Sequence, residues 1–239
     1  MPTVTVNQIL IYYEIHGEGE PLVLIGGLAN DVSDYARMLP ELSRHYKTIV
    51  FDNRGVGRTE KPNAPYSIEM MADDAAGLMA ALGVERAHIL GVSMGGRIAI
   101  ALTLKHPERV QSLILVSTFA KRLPLTWRRR FLLDNPVMRV LRAMGTRYPQ
   151  PQYAFLRQLQ ASRDYDASDR LHEIRIPTLI LHGRNDHTAP FALAEAMRDG
   201  IRGAQLKAFN GGHVFLFVQQ KQFLDAVLTF LAAQSQTNV

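Results

Sequence analysis

A chain of 239 residues without a single cysteine can form one large domain, or one domain with an insertion, but no disulfide, thiolate metal site or cysteine nucleophile. Its balance of 47% apolar and 21% charged residues is that of an ordinary globular protein, and no apolar run approaches the roughly eighteen residues a membrane span needs. The net charge of +5 is unevenly spread: residues 118–174 hold eleven Lys or Arg against five Asp or Glu, which leaves −1 for the remainder.

Residues 4–15 alternate around Asn7-Gln8 and read as an opening β-hairpin. They show no basic stretch followed by an apolar one, so no secretory signal is expected and a cytoplasmic protein is the default. An apolar strand over 22–25 runs into Gly26-Gly27, a helix is expected over 33–45, and a second strand over 48–51 ends in the loop Asp52-Asn53-Arg54-Gly55-Val56-Gly57. Ser67 reads as the N-cap of a helix that Gly83 stops, with Met71, Ala75, Leu78, Met79 and Leu82 at helical spacing. A strand over 87–92, a helix over 94–105 and a strand over 110–116 follow. The alternation resumes after residue 174 with a strand over 178–181, a helix to about Met197, a strand over 205–209 and a closing helix over 215–233. Continuous apolar strands alternating with helices imply an α/β protein with a mostly parallel sheet covered on both faces.

Residues 118–174 break this pattern. They show no strand, carry Pro136, Pro149 and Pro151, and have only short helical periodicities such as Val137, Val140, Leu141 and Met144. They read as a small helical cap inserted into a core formed by 1–117 and 175–239, at the sheet edge where ligands bind in open α/β folds.

Gly91-Val92-Ser93-Met94-Gly95 lies between a strand and a helix, the context of a nucleophile elbow. Small neighbours let a serine sit on a sharp, strained turn, and the helix that follows aims its N–H groups at the place where an oxyanion develops. A free serine hydroxyl is a poor nucleophile and needs an adjacent base. Among eight histidines, His213 in Gly211-Gly212-His213 follows the last strand and can reach the serine; His182 and His187 are its competitors. His16, His45, His88 and His106 fall at other edges or surface positions, and His172 belongs to the insertion. The acid that orients the base is expected after a strand between serine and histidine, where Asp186 stands. The position after the preceding strand, Ser117-Thr118-Phe119, offers no acid. Asp186 could otherwise serve as a helix N-cap. Backbone N–H groups of Met94 and of Leu28, in Gly26-Gly27-Leu28-Ala29, are the expected oxyanion donors.

The elbow, Phe51-Asp52-Asn53-Arg54-Gly55-Val56-Gly57-Arg58-Thr59, His182-Gly183-Arg184-Asn185-Asp186 and Gly212-His213 together resemble the α/β-hydrolase superfamily. Within it the chain looks most like the 3-oxoadipate enol-lactonases and small carboxylesterases. The resemblance implies a Ser93–His213–Asp186 triad, no cofactor or metal, and a small-molecule ester or lactone substrate. Relatives that cleave carbon–halogen bonds or epoxides carry an aspartate at the elbow, and Ser93 argues against both. The oxyanion loop departs from the usual His-Gly-x-Gly at Gly26 and Ala29, which backbone donors tolerate.

The expected activity is short-chain carboxylic-ester hydrolysis through an acyl-enzyme, with enol-lactone hydrolysis as the alternative. Perhydrolase and carbon–carbon hydrolase activities and a hydrolase-fold signalling receptor rank behind. The basic insertion reads first as a solvated charged face and second as a holder of a substrate carboxylate. Trp127 beside Arg128, Arg129 and Arg130 hints at a membrane surface, but the insertion has no clean apolar stripe. No nucleic-acid motif is present, and no glycine-rich nucleotide fingerprint opens a helix after the first strand.

Overall fold

The structure, a computed structural model, describes residues 2–122 and 147–235. The expected features at Trp127, Arg128–Arg130, Pro136 and the periodic run from Val137 to Met144 lie outside these residues.

Eight strands among the described residues form one sheet in the order β1-β2-β4-β3-β5-β6-β7-β8. They are β1 (Thr3–Val6), β2 (Ile9–His16), β3 (Pro21–Ile25), β4 (Lys47–Phe51), β5 (Ala87–Val92), β6 (Val110–Val116), β7 (Thr178–Gly183) and β8 (Gln205–Phe209). β1 and β2 form an antiparallel hairpin, and β2 pairs antiparallel with β4; every other pairing is parallel. Asn7 and Gln8 both take positive φ (46° and 64°), the backbone of a two-residue hairpin turn whose twist matches the strands.

The helices among the described residues are α1 (Leu39–Leu42), α2 (Ile68–Ala81), α3 (Met94–Lys105), α4 (Gln152–Asp164), α5 (Phe191–Gly200), α6 (Phe215–Val218) and α7 (Gln220–Ser235). Alternate strand residues face opposite layers, as the period of a strand requires. Val23, Ile25, Ile89 and Leu113 pack with α2 and α3, while Leu22, Leu24, Leu90 and Ile114 pack with Tyr35, Phe223 and Val227 on the other side. The Ser67 hydroxyl accepts the Met70 N–H at 3.0 Å and starts α2; Gly83, at φ 67°, ends it.

Two expected helices are broken. In place of one helix over 33–45 there is a 3₁₀ turn, Val32–Tyr35, and then α1. Pro40 has no N–H to continue a helix from upstream, and its ring would meet the carbonyl four residues back, so the helix can only restart there. The closing helix is interrupted at Gln219, whose backbone leaves the helical region (φ −111°, ψ 42°). Its side chain turns back to the Asn210 carbonyl at 2.8 Å.

The chain steps from β3 to β4 on one side and then crosses back over β3 to β5 on the other, so the winding direction reverses at β3. The crevice beyond the strand C-termini at such a switch point is where open α/β sheets take ligands. Ser93 follows β5 there, and Gly26-Gly27-Leu28-Ala29 follows β3. Between the neighbouring strands β6 and β7 the described residues add no strand to the sheet; they contain α4 and a 3₁₀ turn over Ser168–Glu173. Arg97 of α3, 1% exposed, donates to the carbonyls of Phe119, Lys121 and Tyr165 and so ties both ends of this segment to the helix that follows Ser93.

Candidate active site

Ser93 has φ 53° and ψ −115°, a conformation costly for a residue with a side chain. The neighbours accept this turn because they are glycines: a Cβ on Gly91 would lie 2.5 Å from the Gly95 carbonyl, and one on Gly95 would drive into the Ile25 carbonyl. The Ser93 N–H donates to the Val116 carbonyl at 2.8 Å, and its own carbonyl accepts the Thr118 hydroxyl at 2.7 Å. The strained residue is therefore clamped on both sides.

His213 Nε2 lies 3.0 Å from Ser93 Oγ, and His213 Nδ1 lies 2.7 Å from Asp186 Oδ2. Because the carboxylate can only accept, the ring proton sits on Nδ1 and bare Nε2 faces the serine hydroxyl. Asp186 Oδ1 accepts the N–H groups of Thr188 and Ala189, each at 2.8 Å. The carboxylate thus anchors its own turn with one oxygen and orients the histidine with the other. Burial pushes the Asp186 carboxyl up, but the His213 hydrogen bond, the Ala189 N–H and the nearby imidazoles outweigh it and hold the group below its usual value.

The acid and histidine loops are knitted together by the Asn185 N–H, which donates to the Gly211 carbonyl at 2.9 Å. The Ser117 hydroxyl donates to the His213 carbonyl at 2.8 Å. Ser117, at φ 47°, thus stands where an alternative acid would have stood and holds the histidine loop instead. His182 is wholly buried; its Nε2 donates to the Ala189 carbonyl at 2.7 Å and lies 3.4 Å from Asp186 Oδ2. Burial lowers its pKa, so the ring is neutral and braces the acid's turn. His187, the other competitor, is exposed.

The loop after β3 packs against Ser93: a Cβ on Gly27 would come 3.4 Å from the Ser93 Cβ. Most of the polar groups in this loop are engaged. Asn53 Nδ2 donates to the Gly26 carbonyl at 2.9 Å, the Gly27 N–H donates to the Tyr35 hydroxyl at 3.1 Å, and the Gly27 carbonyl accepts the Asn30 N–H at 3.2 Å. The Ala29 N–H donates to Gln158 Oε1 at 3.2 Å. Between these anchors the Leu28 N–H has no protein acceptor among the described residues, which suits an incoming oxygen. Met94 opens α3 directly after Ser93, so its N–H belongs to the unsatisfied first turn of a helix.

The structure therefore brings Ser93, His213 and Asp186 into one hydrogen-bonded line and sets the Leu28 loop and the start of α3 beside Ser93. Sequence reasoning missed the supports: Tyr35, Asn53, Ser117, Thr118, His182 and Gln158. Only Ser117 and Thr118 carried a usable signal, since they follow the strand adjacent to β5. Among the described residues no group of three or more His, Asp or Glu is arranged to hold a metal ion.

Such a strained serine between a parallel strand and a helix, facing a histidine and a buried carboxylate at a switch point, is the site architecture of one large class of enzymes. The chain belongs to the alpha/beta hydrolase fold family, whose sequence pattern matches residues 20–147. It is 30% identical to a protein of Azorhizobium caulinodans provisionally named carbamate hydrolase RutD, over 92% of this chain and 94% of that one. It is 31% identical to 2-hydroxy-6-oxo-2,4-heptadienoate hydrolase of Pseudomonas putida, over 91% of both. The crystal structure of the enol-lactonase from Burkholderia xenovorans LB400 superposes with a TM-score of 0.86 at 26% identity, covering 97% of this chain and all of that one.

Proposed function

We propose that the chain is a serine hydrolase that cleaves short-chain carboxylic esters through an acyl-enzyme, with enol-lactones as the alternative substrate. The observation that carries this reading is the unbroken line from Ser93 Oγ through His213 to Asp186, at 3.0 and 2.7 Å. In this mechanism Ser93 Oγ attacks the carbonyl carbon while His213 Nε2 takes its proton. Asp186 stabilises the imidazolium that forms, and the N–H groups of Leu28 and Met94 take the negative charge that develops on the carbonyl oxygen. The protonated histidine then hands its proton to the leaving alcohol, and water, activated by the same base, releases the acid.

Residues 118–174 act in this reading as the cap that selects substrate. Of the basic side chains described there, Lys121, Arg122, Arg147 and Arg170 are exposed, and Arg157 and Arg163 are half-buried. None of these described side chains is buried, and Arg128, Arg129, Arg130, Arg139 and Arg142 lie outside the described residues. The relatives' names favour a second reading, in which the same triad cleaves a carbamate or a 2-hydroxy-6-oxo-dienoate. The test is kcat/KM across p-nitrophenyl esters of increasing chain length, a carboxylate-bearing enol-lactone, a carbamate and 2-hydroxy-6-oxo-2,4-heptadienoate. Short esters should be turned over best, with a steep fall past about eight acyl carbons, the length at which a small capped pocket is full. Preference for long chains, or for the carbamate or dienoate by tenfold or more, would overturn the ester assignment.

A further inference from the structure

The inward stripe of α4 consists of Ala154, Phe155, Gln158 and Ala161, so an amide stands in the middle of an otherwise apolar face. Gln158 is 0% exposed. A buried amide is tolerated only where its donors and acceptors are used, and here three bonds fix it. Oε1 accepts the Ala29 N–H at 3.2 Å and Gln150 Nε2 at 3.0 Å, and Nε2 donates to the Arg54 carbonyl at 2.8 Å. The amide cannot be flipped, since a flip would set an NH₂ against the Ala29 N–H and an oxygen against the Arg54 carbonyl.

We infer that Gln158 is the positioning residue of the oxyanion hole, the point at which the segment between β6 and β7 sets the geometry of the reacting site. The inference rests on the proposed serine-hydrolase reading. Its logic is that of three consecutive peptide planes. The 26–27 plane is pinned by Asn53 at its carbonyl and Tyr35 at its N–H. The 28–29 plane is pinned by Gln158 at the Ala29 N–H. The plane between them carries the Leu28 N–H and is held at its carbonyl, Gly27's, by the Asn30 N–H at 3.2 Å, a turn that closes through Ala29 and so depends on the conformation Ala29 keeps. Ala29 sits at φ 62°, a left-handed conformation that a residue with a Cβ keeps only when its surroundings impose it. Gln158 supplies that constraint from across the fold. Without it, Ala29 relaxes towards the right-handed region and swings the adjoining peptides, so the Leu28 N–H leaves the oxyanion's position.

The inference separates from a merely structural role because an oxyanion donor acts in the transition state and little in the ground state. Gln158→Met keeps the length and volume of the side chain and removes all three bonds. Complete loss of an oxyanion donor costs about 10²- to 10³-fold in kcat, so a misdirected donor should cost about 10- to 100-fold, with KM changed by less than about threefold. The experiment measures kcat and KM on p-nitrophenyl acetate per active site, counted by end-point labelling with a fluorophosphonate. Alongside it measures inhibition by a boronic acid, whose tetrahedral adduct fills the oxyanion hole, and by acetate, which mimics product. The expected result is a loss in boronate affinity that tracks the loss in kcat, with acetate inhibition unchanged. Should Gln158→Met fail to fold, Gln158→Asn, one methylene too short to reach Ala29, gives the same readout. A variant that melts earlier but keeps the parent's kcat per labelled site and its boronate affinity would overturn the inference and leave the hydrolase reading standing. A parent chain that neither hydrolyses the ester nor labels at Ser93 would overturn both.

Discussion

Replacing Asp186 by asparagine tests the electrostatic half of the site with the least disturbance to its geometry. Oδ1 holds two backbone N–H groups at 2.8 Å, and Oδ2 faces His213 Nδ1 at 2.7 Å. In Asp186→Asn the amide oxygen stays on the two N–H donors, because the alternative would set an NH₂ against them. The amide nitrogen is then forced towards His213 Nδ1. That nitrogen must accept, the ring proton moves to Nε2, and a protonated Nε2 3.0 Å from Ser93 Oγ cannot take the serine's proton. Loss of the correct tautomer and of the charge opposite the imidazolium costs about 10⁴-fold in kcat in triads of this type, or roughly 5 kcal/mol of barrier. The stability cost should be small, since the turn keeps its anchor. Asp186→Ala should lose kcat to a similar extent, but it also strips the buried Ala189 N–H of its acceptor, a further loss of about 1–3 kcal/mol in folding stability. The assay is kcat on p-nitrophenyl acetate at pH 7, with urea midpoints for both variants. An Asp186→Asn enzyme within tenfold of the parent, or urea midpoints equal for the two variants, would refute the reasoning.

His213→Ala should lose about 10³-fold or more in kcat, while the exposed His187→Ala stays close to the parent. His182→Ala should lose mainly stability, through a cavity under the Asp186 turn and an abandoned Ala189 carbonyl; a kcat loss matching that of His213→Ala would mean the base has been misassigned. Stability should fall as the pH drops from 7 to 5. Burial lowers the folded-state pKa of His88 and His182, so the unfolded chain takes up protons first, from the ordinary imidazole value downward. Each ring contributes a slope of at most about 1.4 kcal/mol per pH unit. Asp186, lowered as well, keeps its contribution until the pH falls through the carboxylate range, so the loss above pH 5 belongs to the imidazoles. A urea midpoint unchanged between pH 7 and 5, or a slope that His88→Gln leaves untouched, would contradict this.

The features legible in the sequence are those governed by neighbours in the chain. Periodicity marked the strands, and a glycine-flanked serine after an apolar strand and before a helix was visible as a turn with a reason for its glycines. Asp186 and His213 were visible because each follows a strand that must end at the same sheet edge. What escaped was long-range and polar. Nothing local tells that the amide of Gln158 reaches Ala29, 129 residues away, or that Asn53 reaches the Gly26 carbonyl. On a helix of predominantly polar composition Gln158 looks like one more solvated side chain, and only the buried stripe of α4 reveals it. In the sequence Ser117 shows only the absence of an acid, whereas in the fold its hydroxyl holds the histidine loop. Pro40 was in plain view, yet the apolar spacing on either side of it suggested one helix where its ring permits only a restart.

Acylation of Ser93 is the step on which the proposed mechanism depends. Mixing the protein with p-nitrophenyl acetate, quenching in acid within the first turnover and mapping the digest by mass spectrometry reads this directly. One acetyl group is expected on the peptide that contains Ser93, present in the parent, accumulating when deacylation is slowed by His213→Ala after prolonged exposure to the ester, and absent from Ser93→Ala. Steady hydrolysis by the Ser93→Ala variant at the parent's rate, or an acetyl group mapped to another residue as the turnover intermediate, would contradict it.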